Sequence, residues 1–288
     1  MQDQTASKTA LATAYIRAAH QLLDDKPLLL SDPVALTLVG AHAAETIRGA
    51  LARHQCLGGK ALRAHVVLRA RFSEDRLQEA AAKGVTRYIL IGAGFDSFAL
   101  RQPSWAGALK IVEVDHPATQ SAKRERIAKA GLSEPENLIF AQADFEREEL
   151  GEVLARCGIG PGEPAFFAWL GVTMYLEEAA INATLRTIAA FAPGSEVTLT
   201  FRQPLDAASS TLAAITSDLG EPFVSFFTPE EIEAKLRHTG FSCIDFLTPE
   251  KAEALYFTPA RNDLPVPEQC SILCASVSGK IGSAFDRS

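Results

Sequence analysis

The residues best suited to chemistry follow three short apolar runs in the middle of the chain. The run Tyr88-Ile-Leu-Ile91 leads into Gly92-Ala93-Gly94, where glycine lets the backbone turn tightly and approach a ligand. The next run ends with Glu113-Val-Asp115, and the third is followed by Asp144-Phe145. An acid can accept hydrogen bonds from both ribose hydroxyls, and an acid beside an aromatic ring can border an adenine. These three successive runs therefore predict a nucleoside site.

Two other interpretations share some of these features. A plain strand-to-helix turn can carry Gly-x-Gly, and a dinucleotide fold has both the turn and the following acid. A dinucleotide fold normally has a third glycine, which lets the start of a helix approach a pyrophosphate, but Ser97 stands at that position here. This difference favours a ligand without phosphates. S-adenosylmethionine (SAM) is such a ligand, and its methionine carboxylate would require a cation.

Composition excludes several classes of partner and compartment. The 288 residues carry a net charge of −7 and no long basic block, so a nucleic-acid partner is not expected. No apolar run is long enough to span a bilayer, and the start of the chain lacks a basic leader followed by an apolar stretch. We therefore predict a cytoplasmic protein without a membrane segment. No His or acid cluster has the spacing of metal ligands, so no metal is predicted.

From Arg87 onward, short apolar runs alternate with helical patterns, which predicts an α/β fold with a parallel sheet. Seven strands are predicted, at 88–91, 110–114, 137–141, 165–169, 196–201, 242–246 and 271–276. Helices are predicted at 117–130, at 176–191 and after the capping box at Thr228, with Gly240 closing the last of them.

The rest of the chain adds to this core. Residues 1–85 contain helical patterns at Lys8–Leu23, 32–53 and 59–82, and we interpret them as a helical cap that contributes to the cofactor site. The α/β core then covers 86–202 and resumes at 228–288. The segments 203–227 and 249–269 are long for α/β connections and are predicted to be insertions, the first of them an active-site lid.

Several motifs together are similar to those of one family. They are Ile91-Gly-Ala-Gly-Phe-Asp96, Glu113-Val-Asp-His-Pro117 with Lys123, Gly171-Val-Thr-Met-Tyr-Leu176, Ala192-Pro-Gly194 and Tyr256-Phe257 with Arg261. From about Ser7 to about Ser276 the chain resembles the leucine carboxyl methyltransferase-like family of SAM-dependent O-methyltransferases. The resemblance implies a Rossmann-like class I methyltransferase fold with SAM as cofactor.

The resemblance also implies roles for individual residues. The turn Gly92-Ala93-Gly94 should face the methionine portion of SAM, and Asp115 should hold the ribose. The residues that should border the adenine are Asp144 and Phe145, with His116 either beside the ring or at the start of a helix. Arg69 matches the arginine that pairs with the methionine carboxylate, for which guanidinium geometry is suited. Lys8 is a loose match to a second cation, and Leu170 stands at a family position beside the cofactor.

For Arg69 the residues alone leave another interpretation open. Several arginines lie close together in this part of the sequence, namely Arg63, Arg69, Arg71 and Arg76, and such a group can be a solvated helix face. Leu170 is a departure from the family, which commonly has Trp-Glu-Gly where this chain has Trp169-Leu-Gly171. This departure leaves open a SAM-binding protein without methyl transfer.

The predicted reaction is methyl transfer to a carboxylate or hydroxyl of a small-molecule acceptor. A carboxylate is ionised at neutral pH and needs no general base, whereas a hydroxyl does. Tyr175 is the candidate for orienting the acceptor oxygen, although a buried structural tyrosine is an equal alternative. Arg202 and Arg261 could bind an acidic acceptor, but solvated surface arginines are the stronger alternative. No histidine is well placed by sequence to act as the base, since His116 follows the ribose acid and His20, His54 and His65 lie in the cap. The remaining alternative is an NAD(P)-dependent oxidoreductase.

Overall fold

The computed structural model describes residues 6–145, 147–204, 207–257 and 263–277. For residues 207–211 it describes the backbone only. Its centre is one seven-stranded sheet with helices on both faces, which confirms the predicted α/β fold. The strands are β1 Arg87–Ile91, β2 Lys110–Asp115, β3 Leu138–Gln142, β4 Phe166–Trp169, β5 Glu196–Thr200, β6 Phe241–Phe246 and β7 Ile272–Val277. The ends of each strand lie within one residue of the prediction.

The strand order is β3-β2-β1-β4-β5-β7-β6. The pairs from β3 to β5 are parallel, but β7 runs antiparallel to both β5 and β6. The prediction of a parallel sheet was therefore wrong for β7. Its residues are almost all buried, and a strand covered on both faces is apolar in either direction, so the sequence pattern does not reveal the direction.

The amino-terminal part of the chain is helical. It contains α1 Lys8–Leu23, α2 Pro33–Val39, α3 Ala43–Gly49, α4 Leu51–Gln55 and α5 Leu57–Ala82. The single helical pattern predicted over 32–53 is thus divided into three helices. One break is at Gly40, whose φ of 107° ends α2, because this backbone conformation is open mainly to glycine.

The other helices follow the strands. They are α6 Pro117–Lys129, α7 Leu150–Arg156, α8 Glu178–Ala189, α9 Ala207–Asp218, α10 Pro229–Thr239 and α11 Pro249–Tyr256. The capping box at Thr228 and the left-handed Gly240 are present as predicted. Helix α8 is two residues shorter at each end than the pattern, because a 3₁₀ turn, Thr173–Tyr175, precedes it. Among the described residues, no helix has the length and apolar character needed to cross a membrane.

Two apolar layers hold the sheet between its helices. On one face, β1 and β4 pack through Ile89 and Phe167 against α7, α8 and α10. On the other face, Leu90 and Phe166 pack against the long helix α5. Helix α5 therefore crosses the sheet, and its middle turns come close to the ends of the central strands.

A buried ion-pair network joins the cap to the loop after β1. Asp32 is fully buried and accepts hydrogen bonds from Arg17 Nε at 2.8 Å and from Ser97 Oγ at 2.7 Å. Arg101 Nε lies 3.3 Å from the same carboxylate. Arg17 also pairs with Asp96 and Arg101 with Glu74, so removal of Asp32 leaves two buried cations with one partner fewer.

We expect Asp32→Ala to lower the free energy of unfolding by about 3 kcal/mol, because Arg17 and Arg101 remain buried after the carboxylate is lost. Urea denaturation followed by circular dichroism measures the change. Asp25→Ala is the control, since Asp25 is exposed. Equal midpoints for the two variants would show that the network does not hold the cap.

Candidate functional site

A large cavity lies where the strand order reverses, between β1 and β4. β1 pairs with β2 on one side and with β4 on the other, so the loops after β1 and β4 diverge at the carboxyl edge of the sheet. Ligands of open α/β sheets bind in such a crevice. The cavity has a volume of about 990 Å³ and is lined by these loops, by helices α1 and α5, and by residues 212–224.

The turn Gly92-Ala93-Gly94 forms one wall of this cavity. Gly92 and Gly94 have φ angles of 68° and 53°. A Cβ on Gly92 would lie 2.4 Å from Cγ2 of Val172, and one on Gly94 would lie 3.2 Å from the Cβ of Ala10. Both glycines are therefore required by backbone conformation and by the close approach of neighbouring chain.

The segment after this turn differs from a dinucleotide site. A 3₁₀ turn, Phe98–Leu100, follows in place of a long helix. Ser97, at the position of the third glycine, is fully buried, and its hydroxyl donates to Asp32. The helix start that binds a pyrophosphate in dinucleotide folds is thus not formed by this segment.

Asp115 is the last residue of β2, and its carboxylate lines the cavity. It accepts hydrogen bonds from the backbone N–H of Gly94 and, at 2.6 Å, from that of His116. Burial raises the pKa of Asp115, although these two donors act in the opposite direction. The carboxylate is held at the glycine turn and has further lone pairs for a ligand hydroxyl.

Glu113, the other predicted carboxylate, does not line the cavity. It is buried beneath α6 and accepts a hydrogen bond from Lys123 Nζ at 2.5 Å. Burial raises the pKa of Glu113 to about 7, even though Lys123 favours the ionised form. Of the two acids in the Glu-Val-Asp sequence, Asp115 is the one placed for ligand binding.

The three residues predicted at the adenine come together at the end of β3 and the start of α6. His116, Asp144 and Phe145 all line the cavity. His116 is also the N-cap of α6, where its Nδ1 accepts from the Ala118 N–H at 3.3 Å. Asp144 Oδ2 lies 3.4 Å from Nε of Arg147. His116 is therefore at the helix start, while its position beside the adenine stays a prediction.

Arg69 enters the cavity from α5, opposite the sheet edge. Its guanidinium lies against Gly171, where a Cβ would come within 2.7 Å of two of its nitrogen atoms. Burial lowers the pKa of Arg69 to about 10. Within the described ranges, no carboxylate forms an ion pair with it. Arg69 is thus a partly buried cation facing a cavity, which fits a ligand carboxylate.

The other arginines of this group have different environments. Arg63 is fully buried and bound to Asp24 at 2.6 Å, while Arg71 is partly exposed and paired with Asp75. The group is therefore not a uniform solvated helix face. Lys8, matched to a second cation, has an exposed side chain and is not in the cavity lining that the structure describes. Arg261 falls outside the described residues.

Leu170 and Tyr175 follow β4 and lie on the same wall as Arg69. The Tyr175 ring packs against Phe223 with 5.3 Å between centroids, and the Arg202 guanidinium lies 5.1 Å from the centre of the Phe223 ring. Burial raises the pKa of Tyr175, so its hydroxyl stays protonated at neutral pH. A protonated phenol can donate a hydrogen bond to an acceptor oxygen.

Sequence reasoning missed several residues of the cavity wall. Arg17 NH1 and Asp96 Oδ2 form a salt bridge of 2.6 Å beside the glycine turn. Burial alone would raise the pKa of Asp96, but Arg17 and other cations lower it to about 2. The partners are 79 positions apart, so only the fold could reveal the pair.

His65, which the sequence places in the helical cap, also lines the cavity. It lies one helical turn before Arg69 on α5, and this spacing was the available signal. Burial, followed by the charges of Arg69 and Arg202, lowers the pKa of His65 to about 3. The ring is neutral at physiological pH.

Gly171 gives a direct test of the Arg69 position. Its φ of 74° and the contact with the guanidinium mean that Gly171→Ala must both strain the backbone and displace Arg69. We expect about 1–2 kcal/mol of lost stability and about 10-fold weaker binding of S-adenosylhomocysteine by calorimetry. Gly107→Ala is the control, because a Cβ there meets nothing within 4 Å. Full affinity in Gly171→Ala would mean that Arg69 does not contact the ligand.

Comparisons with known proteins agree with this architecture. The family profile named "Leucine carboxyl methyltransferase" matches residues 10–189. A Bacillus subtilis (strain 168) protein named as a candidate S-adenosyl-L-methionine-dependent methyltransferase is 27% identical over 294 residues, which cover 92% of this chain and 95% of that one. A protein of Parafrankia sp. (strain EAN1pec) with the same type of name is 32% identical over 203 residues, covering 67% and 62% of the two chains.

Two solved structures are similar over nearly the whole length. A candidate methyltransferase from Thermobifida fusca YX has a TM-score of 0.59 at 18% identity and covers 96% of each chain. A DUF574 family protein from Streptomyces avermitilis has a TM-score of 0.56 at 15% identity, covering 96% of this chain and 98% of that one. At these identities the likeness concerns the fold alone.

Proposed function

This chain belongs to the leucine carboxyl methyltransferase family, and from this premise we propose that it methylates an oxygen atom of a small-molecule acceptor. It is a SAM-dependent methyltransferase, with SAM as cofactor. The comparisons do not favour an oxidoreductase or a SAM-binding protein without methyl transfer. Cytoplasmic location and the lid role of 203–227 stay predictions.

The residues of the cavity fit SAM in charge and position. In our proposal Asp115 accepts the ribose hydroxyls and the Arg69 guanidinium binds the methionine carboxylate. His116, Asp144 and Phe145 border the adenine, while Gly92, Ala93, Gly94 and Leu170 lie against the rest of the cofactor. The partly buried Arg69, which faces the cavity without an ion-paired carboxylate in the described residues, carries this assignment.

Leu170 stands where the family commonly has a glutamate, and the wall formed here is apolar. The cation Arg69 lies beside it at Gly171. We propose that the cofactor is held at this point by apolar contact and by backbone groups, with Asp115 and Arg69 supplying the charged contacts. Arg17 is already paired with Asp96 at 2.6 Å and with Asp32, so these groups form part of the wall and are not assigned a charged contact with the cofactor.

The volume of the cavity supports a small acceptor. Ligand sites commonly have volumes of about 300–1,000 Å³, and the 990 Å³ here is at the upper end, as expected for a cofactor together with a second small molecule. In our proposal the acceptor lies against Tyr175, Phe223, Arg202 and His65, all of which line the cavity.

The chemistry expected of the protein is mainly positioning. The sulfonium of SAM supplies an activated methyl group, so the protein must hold the acceptor oxygen in line and exclude water. Tyr175 can orient that oxygen by donating its phenolic proton as a hydrogen bond. A carboxylate acceptor needs no proton transfer at neutral pH. The neutral His65 can accept a hydrogen bond from an acceptor hydroxyl.

Methyl-labelled SAM with a panel of small carboxylic acids, phenols, amines and thiols tests the proposal. We expect label in oxygen-linked products, with base-labile esters formed from the acids and stable ethers from the phenols. Transfer only to amines or thiols would contradict O-methylation. Transfer only to a protein would contradict the small-molecule acceptor.

Tyr175→Phe removes the hydroxyl and keeps the ring against Phe223. We expect kcat to fall by about 10-fold to 100-fold while binding of S-adenosylhomocysteine stays within about twofold, because an orienting hydrogen bond acts on the acceptor. Steady-state kinetics and calorimetry measure the two effects. An unchanged kcat would leave Tyr175 as a packing residue.

A further inference from the structure

Glu221 makes an unusual contact between two distant parts of the chain. It follows α9, yet its carboxylate lies on the first turn of α1. Oε1 accepts the Lys8 backbone N–H at 2.8 Å, and Oε2 accepts the Ser7 hydroxyl at 2.9 Å and the Thr9 hydroxyl. A carboxylate is stabilised at the amino end of a helix, where N–H groups are free.

The contact is located at the cavity. Ser7, Thr9, Gly220 and Glu221 are all lining residues. Segment 219–225 therefore begins beside α1 and continues along the acceptor wall, where Phe223 packs against Tyr175. The contact joins the amino-terminal wall of the cavity to the acceptor wall.

The other end of this segment is fixed to the turn that carries Tyr175. The Val224 N–H donates to the Met174 carbonyl at 2.7 Å, and the Ser225 hydroxyl donates to the Leu176 carbonyl at 2.5 Å. Segment 219–225 is thus anchored at both ends, by Glu221 on one side and by the 3₁₀ turn on the other.

Helix α1 does not need Glu221 in order to form. The Ser7 hydroxyl already accepts the Ala10 N–H at 3.0 Å, which is an N-cap. The Ser7 N–H also donates to Thr119 Oγ1 at 3.0 Å, which fixes the start of α1 to α6. Glu221 is therefore additional to the capping of the helix, and its bonds serve to hold segment 219–225 in place.

We propose that Glu221 is a positioning residue that closes the cavity by binding the first turn of α1. This inference rests on the proposed function. Its carboxylate holds Thr9 and segment 219–225 together while the ligands are bound, and its release opens a path for cofactor exchange. The contact with Lys8 N–H is exposed to solvent, so water can replace the bonds when they break. Closure of this kind excludes water from the reacting groups.

The test compares Glu221→Gln with Glu136→Gln, an exposed loop carboxylate. Glutamine keeps the length of the side chain but removes the charge and one acceptor oxygen. Stopped-flow measurement of S-adenosylhomocysteine binding gives the association and dissociation rates. We expect both rates to be about 10-fold higher in Glu221→Gln than in the wild type, and the affinity to change less than either rate. Glu136→Gln should match the wild type.

Hydrogen exchange in the ligand-free protein supplies a second readout. The amides of 219–226 should exchange faster in Glu221→Gln, while those of the strands stay protected. Ligand exchange rates equal to wild type, or lost affinity without faster exchange, would overturn the role of Glu221. The two proposals can fail separately. If the wild type does not bind S-adenosylhomocysteine, the proposed function fails. If the amides of 219–226 are as protected in Glu221→Gln as in the wild type, the closing contact is overturned.

Discussion

Asp115→Ala should weaken the binding of S-adenosylhomocysteine by about 100-fold or more and leave the protein folded. Hydrogen bonds to a charged group contribute about 1.5–3 kcal/mol each. In the proposed complex Asp115 accepts two such bonds, one from each ribose hydroxyl. The substitution also removes the acceptor of the Gly94 and His116 N–H groups. Calorimetry measures the affinity, and circular dichroism checks the fold.

Asp115→Asn is the matched variant for this result. It keeps the shape of the side chain but can accept through only one oxygen, so an intermediate loss of affinity is expected. Since Glu113 is bound to Lys123 away from the cavity, it cannot substitute for Asp115. Affinity within about threefold of wild type in Asp115→Ala would place the ribose elsewhere.

Arg69→Met should separate ligand binding from stability. Loss of a bidentate contact with a carboxylate is expected to weaken S-adenosylhomocysteine binding by about 100-fold. The ligand-free protein, however, should be as stable as wild type or more stable. Burial lowers the pKa of Arg69 to about 10, which means that the folded state destabilises its charged form.

Arg71→Met is the control, because Arg71 lies two residues along the same helix and is paired with Asp75 at 2.9 Å. It should leave binding unchanged and alter stability by less than about 1 kcal/mol. A large loss of stability in Arg69→Met would show that the arginine is structural. Unchanged affinity would contradict its contact with the cofactor.

The sheet was the most predictable part of the fold. Strands such as Phe166–Trp169 are fully buried, so an unbroken apolar run between turn residues defined them within one residue. The division of 32–53 into three helices was not predicted, because a helical pattern continues through the break at Gly40. The antiparallel direction of β7 depends on tertiary pairing that the pattern does not encode.

The candidate site was predictable where it follows the strands in sequence. The glycine turn follows β1, Asp115 ends β2 and Asp144 lies two residues after β3, and the carboxyl ends of parallel strands meet at one edge. The residues that the helical cap contributes to the cavity wall were harder to predict. The Arg17–Asp96 pair and the contact of Glu221 with α1 join distant positions, and such contacts exist only once the cap packs on the sheet.

The most direct test of the cofactor assignment compares two ligands across two variants. Calorimetry would measure the affinities of the wild type, Asp115→Ala and Arg69→Met for S-adenosylhomocysteine and for methylthioadenosine, which lacks the amino-acid tail. The predicted result is that Asp115→Ala weakens the binding of both ligands, whereas Arg69→Met weakens only the binding of S-adenosylhomocysteine. Equal losses of both ligands in Arg69→Met, or none in either variant, would contradict the proposed placement of SAM between Asp115 and Arg69.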